Sequence, residues 1–276
     1  MENPNLETFE KEGLVIEKDR VLTYSELICP LGCRYCFAEK LSGVQKSDVS
    51  YLSEKQADLL KNLPEGIKTI MLGCDTEFFQ NKDEAVEILK KLSTLGKDVS
   101  VITKLSLSDN FVEVMGNISD EMSKRDNRIV FSVSIPCFES SHKWEPNVPS
   151  PEKRIDTLKK VSKKGIASMV AIRPLIPNIQ KSEIDKIIDS TSPYVFGYYS
   201  GPLYIKDFDN ELLSREEIAN LGLNSEEVEP KWMPKGNKFI MIENPDLMAY
   251  LREKVEKSGK EFFDGAVQGI EFLRKK

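Results

Sequence analysis

From about residue 21 to residue 199, apolar segments with strand-like and helix-like periods take turns, and this alternation constrains the fold more than any other feature. Strand-like runs occupy 21–28, 67–73, 99–103, 129–135, 166–172 and 194–199. Helical patterns fall between them. Ser53 opens one, with Gln56 placed as a capping-box partner. Residues 83–95 carry Ala85, Ile88, Leu89, Leu92 and Leu95 on one face and stop at Gly96. A short helix is expected over 111–115. Ser150 and Pro151 supply a cap and a first-turn proline for a helix that carries Ile155, Leu158 and Val161 and ends at Gly165, and another helix covers 182–188. Strand–helix–strand repetition implies parallel strands joined by right-handed crossovers. Six such units are too few for an eight-fold barrel, so the expected fold is α/β, a partial (β/α)6 TIM-like barrel.

After residue 205 the rhythm changes. Residues 207–229 are densely charged, Pro230 and Pro234 punctuate the chain, and one strand-like stretch (239–242) precedes helical patterns over 246–257 and 266–273. This divides the chain into a barrel core, 1–205, and a C-terminal α/β extension, 206–276, packing on the barrel. No apolar run approaches the roughly 18 residues of a membrane span. The polar, acidic start at 1–11 lacks a signal-peptide core, which leads to the expectation of a cytoplasmic protein without a membrane partner. A net charge of −6 disfavours non-specific binding to nucleic acid, although 39 Lys and Arg leave a local basic groove open.

The chemistry is concentrated in Cys29-Pro30-Leu31-Gly32-Cys33-Arg34-Tyr35-Cys36, directly after the first strand. The spacing C-x3-C-x2-C offers a metal cluster three thiolates, whereas an ordinary [4Fe–4S] cluster takes four, one per iron. One iron would stay open to a reactive ligand. Two other readings compete. A structural zinc site needs four ligands, usually in paired units, but outside the run only Cys74, Cys137 and the single histidine, His142, are available. A thioredoxin-like pair at Cys33 and Cys36 leaves Cys29 unexplained. Position favours the cluster, because ligands of parallel α/β folds bind where strands end and βα loops begin. Cys74 follows the second strand, Lys104 closes the third, Cys137 follows the fourth and Arg173 closes the fifth, so thiols and cations converge on one rim.

The cysteine run, with aromatics Tyr35 and Phe37 on either side of its last member, resembles the radical S-adenosylmethionine superfamily. A narrower resemblance, over roughly residues 25–200, is to spore photoproduct lyase and its DNA-repair-photolyase-like relatives. It is carried by Gly73-Cys74-Asp75-Thr76-Glu77, Thr103-Lys104, Phe131-Ser132-Val133-Ser134, Glu145-Pro146 with the later Arg154, and Pro174-Leu175-Ile176-Pro177. The resemblance implies that Cys29, Cys33 and Cys36 hold a [4Fe–4S] cluster whose open iron is chelated by S-adenosylmethionine. Reductive cleavage would then give a 5′-deoxyadenosyl radical that abstracts hydrogen from a substrate. It implies that Lys104 and Ser132 hold the carboxylate and ribose region of the cofactor; Tyr35, Phe37, Thr76, Glu77, Ser134 and Arg173 are further candidates for cofactor contact, with Glu77 and Arg173 equally open to a substrate. Cys74 falls where the lyase keeps a hydrogen-returning cysteine, Tyr35 matches one tyrosine of its hydrogen relay, and Cys137 is a further catalytic candidate. The second relay tyrosine is replaced by Phe37, and the extension matches no DNA-binding hairpin. A DNA lesion is therefore a disfavoured substrate, and the substrate stays open. Reduced flavodoxin or ferredoxin is the expected electron donor. A non-catalytic Fe–S carrier or a zinc-stabilised module is the alternative of another class.

Overall fold

The computed structural model describes residues 6–43, 46, 47, 49–206 and 213–275. A short helix α1 (Leu6–Lys11) leads into a hairpin of β1 (Leu14–Glu17) and β2 (Arg20–Thr23). There follow α2 (Glu54–Lys61), β3 (Thr69–Leu72), α3 (Lys82–Leu92), β4 (Asp98–Thr103), α4 (Asp109–Ser123) and β5 (Ile129–Ser134). The chain continues through α5 (Ser141–Trp144), α6 (Pro151–Lys163), β6 (Ser168–Ile172), α7 (Lys181–Thr191) and β7 (Gly197–Ser200). Strands β2 to β7 are the six expected ones, paired in chain order and all parallel. The fold is thus the mixed α/β, TIM-like partial barrel that the alternation predicts.

Several boundaries differ from the sequence reading, each for a physical reason. The first strand ends at Thr23, not residue 28, because the Ser25 amide leaves the ladder to donate to Asp75 Oδ1 at 3.0 Å. Helix α4 runs through Gly116 to Ser123 with Met115, Ile118 and Met122 on its buried face. A side chain at residue 116 would collide with the aliphatic stem of Lys164, so this glycine marks a helix–helix contact and not a stop. The capping box of α2 forms as expected, Ser53 Oγ accepting from the Gln56 amide. Ser150 makes no side-chain cap bond, and Pro151 alone occupies the first turn of α6.

The remainder of the chain contains β8 (Leu203–Ile205), α8 (Arg215–Asn220), β9 (Asn224–Val228), β10 (Phe239–Glu243), α9 (Pro245–Lys257), β11 (Glu261–Phe263) and α10 (Ala266–Arg274). Strands β8, β10 and β9 form a small antiparallel sheet. The three-residue β11, too short to read from the sequence, joins the main sheet in parallel beside β7. The main sheet therefore has eight strands in the order β1-β2-β3-β4-β5-β6-β7-β11.

Side chains alternate across these strands. On the outer face Ile70, Val99, Val101, Ile129, Phe131, Val133, Val170 and Ile172 pack in one core with the helices, including Leu89, Met115, Leu158 and Ile187. On the inner face Val130, Met169, Ala171 and Tyr199 pack against Phe263, Ala266 and Ile270. Helix α10 therefore fills the barrel, and Arg274 pairs with Asp98 at the start of β4 at 2.6 Å. No helix among the described residues is long and apolar enough to cross a membrane.

Candidate active site

The cysteine loop begins where β2 ends. Cys29, Cys33 and Cys36 are half-buried, and Gly32 turns the chain between the first two with φ +56°. The segment around α5 grips this loop twice. The Arg34 amide donates to the Trp144 carbonyl at 2.9 Å, and the Tyr35 hydroxyl donates to Glu145 Oε1. Phe37 stands edge-on to Trp232 and Phe239, with ring centroids 5.5 and 6.1 Å away. Burial raises the Cys33 thiol against the pull of Lys104, and burial pushes Cys36 up to about 12. A metal must displace those protons to bind, as thiolate-ligated metals do.

All three cysteines line a cavity of about 220 Å³ at the C-terminal rim of the strands. Tyr35, Phe37, Cys74, Thr76, Glu77, Lys104, Ser134 and Arg173 line it too. The structure thus brings together most of the residues singled out from the sequence. Ser132 and Cys137 stand apart from that wall. Ser132 is one pleat deeper on β5, fully buried, and its hydroxyl finds no partner. Cys137 is fully buried, with Sγ 3.8 Å from Glu145 Oε2. His142 is exposed, its Nδ1 3.0 Å from the Glu139 carbonyl oxygen.

Glu145 is the electrostatic centre of one wall. Its buried carboxylate receives Arg154 Nη2 at 2.6 Å and Lys104 Nζ at 3.0 Å as well as Tyr35. Burial works to raise this carboxyl, but Lys104 and Arg154 outweigh it and hold it at about 2. Lys104 Nζ also donates to Ser134 Oγ at 2.6 Å and to the Tyr35 hydroxyl at 2.9 Å, and Arg154 donates to the Ser134 carbonyl at 2.7 Å. Burial and the neighbouring Glu145 charge raise the Tyr35 phenol, which stays protonated. Arg154 and Glu145 are visible in the sequence only as members of a motif. Their burial, 0% side-chain exposure for both, is a tertiary fact.

The opposite wall is the turn after β3. Gly73 takes φ +83°, and a Cβ there would lie 2.6 Å from the Ile102 carbonyl oxygen, so only glycine fits. Its amide donates to Tyr51 Oη at 2.6 Å. Cys74 follows, half-buried, its thiol 3.5 Å from the Met71 carbonyl and pushed up to about 12 by burial and the Asp75 charge. Asp75 is tied to Lys46 at 2.7 Å. Glu77 accepts from the Lys104 amide at 2.8 Å and Thr103 Oγ1 at 2.7 Å, so it joins the ends of β3 and β4. The Thr76 hydroxyl is buried on the cavity wall without a partner. Trp232 and Tyr204, from the C-terminal part of the chain, complete the mouth, and no local pattern in the sequence singles them out.

The residues fit a three-cysteine cluster with a polar cofactor. Among the described residues no three His, Cys, Asp or Glu are gathered as one metal ion would require. A cluster takes each cysteine on a separate iron. The unpartnered Thr76 hydroxyl on the wall leaves hydrogen-bonding capacity for a polar ligand.

Comparison with known proteins agrees. The family model for the radical SAM superfamily matches residues 27–191. The chain belongs to the radical SAM superfamily. As a member of that family of enzymes it is similar to an uncharacterized protein of Methanocaldococcus jannaschii, 30% identical over 188 residues that cover 64% of this chain and 68% of the relative. Among solved structures it resembles a spore photoproduct lyase (TM-score 0.62, 12% identity, 86% of this chain and 72% of that one). It also resembles SuiB of Streptococcus suis bound to S-adenosylmethionine (TM-score 0.60, 13% identity, 93% of this chain and 52% of that one). A radical S-adenosylmethionine methyltransferase of Kitasatospora setae gives a TM-score of 0.54 at 15% identity, over 91% of this chain and 53% of that one. At these identities the structural likenesses show the shared fold.

Proposed function

We propose that this radical SAM enzyme binds a [4Fe–4S] cluster through Cys29, Cys33 and Cys36 and abstracts a hydrogen atom from a substrate held in the rim cavity. The observation that carries this reading is the convergence of three thiols from one loop, the Lys104 ammonium and the Cys74 thiol on a single cavity. When bound, the cluster and S-adenosylmethionine supply a carbon-centred radical that takes hydrogen from carbon. Lys104 presents a positive charge suited to the cofactor's carboxylate, with Glu145 and Ser134 fixing where that charge sits. Thr76 and Ser134 offer hydroxyls on the wall.

Cys74 is the hydrogen donor in this reading. Its thiol is protonated at neutral pH, and burial, which pushes it up to about 12, keeps it so in alkali as well. Homolytic transfer of that hydrogen to a substrate radical leaves a thiyl radical, which one electron from the donor, reduced flavodoxin or ferredoxin, and one proton return to thiol. Tyr35 acts by position, since its hydrogen is engaged by Glu145. Phe37 has no O–H to contribute and packs among aromatic rings.

The test is anaerobic reconstitution followed by dithionite and S-adenosylmethionine. About four irons per chain and release of 5′-deoxyadenosine are expected. An intact cluster that never cleaves the cofactor under any reductant refutes the reading. In Cys74→Ala, cofactor cleavage should persist while substrate product is diverted; loss of the cluster in that variant would show that Cys74 is a ligand.

A further inference from the structure

Among the described residues, one cation on the cavity wall has no carboxylate partner. Arg20 is paired with Glu17 at 2.7 Å and Lys104 with Glu145 at 3.0 Å. The wall's carboxylates are likewise committed, Asp75 to Lys46 and Glu77 to the Lys104 amide and Thr103. Among the described residues Arg173 has no carboxylate partner. Its half-buried guanidinium lies over the Trp232 ring, 5.1 Å from the centroid. Trp232 is held through both its backbone and its ring. Tyr24 Oη donates to the Trp232 carbonyl at 2.6 Å, and Tyr204 stands edge-on to the ring at 5.6 Å. Residue 201 is glycine, and a Cβ there would sit 3.2 Å from Arg173 Nε, so the guanidinium lies in space kept clear for it.

A guanidinium that is stacked, uncrowded and unpaired on the wall of a largely apolar cavity is a preorganised receptor for an anion with two oxygens. We propose that Arg173 anchors the substrate through a carboxylate or phosphate group, with Trp232 as the backing that holds the guanidinium in place. Arg173 shares the cavity wall with Cys74, Tyr199 and Tyr204, so the anchored end of the substrate lies in the same cavity as the thiol. This deepens the reading given under Proposed function and rests on it for the term substrate.

The same chemistry is present in the carboxylate of S-adenosylmethionine, so the experiment separates the two sources. Equilibrium dialysis with radiolabelled inorganic phosphate is performed on the reconstituted holoenzyme saturated with S-adenosylmethionine, with acetate as competitor. Wild type is expected to take up about one phosphate per chain, displaced by acetate. Arg173→Met should weaken this by about ten- to a hundredfold, the cost of a hydrogen bond to a charged group. Arg173→Lys, which keeps charge but not the fork or the stack, should fall between them. Cofactor affinity, read by calorimetry on the same preparations, should change less than threefold in Arg173→Met. Cluster absorbance and circular dichroism show that each variant is folded. Phosphate uptake unchanged in Arg173→Met overturns the proposal. So does uptake seen only without S-adenosylmethionine together with a tenfold loss of cofactor affinity in Arg173→Met, which would make the anion the cofactor's own. Arg173-dependent phosphate uptake in a preparation that never cleaves the cofactor would sustain the anion site while removing the radical reading.

Discussion

Replacing Glu145 by Gln removes one charge from a place where three groups depend on it. The Glu145–Arg154 pair has no exposed side-chain surface on either partner, and Lys104 shares the same carboxylate. Truncating one partner of a buried pair typically costs about 3–5 kcal/mol, because the remaining charge is left uncompensated. The lowered carboxyl of Glu145 expresses the same pairing with Lys104 and Arg154. Its carboxyl is held at about 2 against an ordinary 4.5, a difference of about 2.5 pKa units worth about 3 kcal/mol at about 1.36 kcal/mol per unit. The folded pKa is the depressed one, so this stability is present above pH 4.5 and disappears as pH falls through 2. Urea unfolding of wild type and Glu145→Gln, followed by circular dichroism and fluorescence at pH 7, 5 and 3, tests both figures. The variant should be about 3–5 kcal/mol less stable at pH 7, and the gap should narrow on acidification. Adding Arg154→Met should recover part of the loss by removing the orphaned cation. A gap below about 1 kcal/mol at pH 7, or one that does not narrow in acid, would refute the reasoning.

Two further outcomes follow from other parts of the molecule. With its thiol up at about 12 against an ordinary 9.0, Cys74 should react with iodoacetamide about a thousandfold more slowly than a peptide thiol at pH 8, rising about tenfold per pH unit to pH 11; peptide mass spectrometry reads the rate, and labelling at the peptide rate would show a thiolate-stabilising site instead. Ile270→Ala on α10 should cost about 2–5 kcal/mol in chemical denaturation, as expected for a fully buried isoleucine, and a cost typical of a surface position would show that α10 does not fill the barrel.

The parallel barrel and the cysteine loop were legible in the sequence because each depends on local pattern. Strand and helix periods show burial directly, and the C-x3-C-x2-C spacing stands out in the sequence by itself. Lys104, Cys74 and Arg173 could be placed on the rim because strand ends define it. Glu145 was harder to read. A glutamate in a polar loop resembles any solvated carboxylate, and only the approach of Arg154 from α6 and Lys104 from β4 buries it. Trp232 and Tyr204 reach the cavity from beyond residue 200 through the small sheet of β8, β10 and β9. Strand β11 contributes three residues whose burial depends on a neighbour already in place. Helix α4 extends well past the expected 111–115, because the bare Gly116 admits the crossing Lys164 stem, a contact no local pattern reveals.

The position of α10 bears on how the chain comes off the ribosome. Residues 14–200 contain every strand of the sheet except β11, yet the inner face of Val130, Met169 and Ala171 is covered by Phe263, Ala266 and Ile270, with Phe272 and Leu273 packed beside them. A nascent chain that has released those first strands presents an oily concave surface and an unpaired edge at β7 for the time needed to translate some sixty more codons, several seconds at about 5–20 residues per second. The order of synthesis thus builds the cavity walls before the floor, and the loop of Cys29, Cys33 and Cys36 is made while the barrel is still half complete.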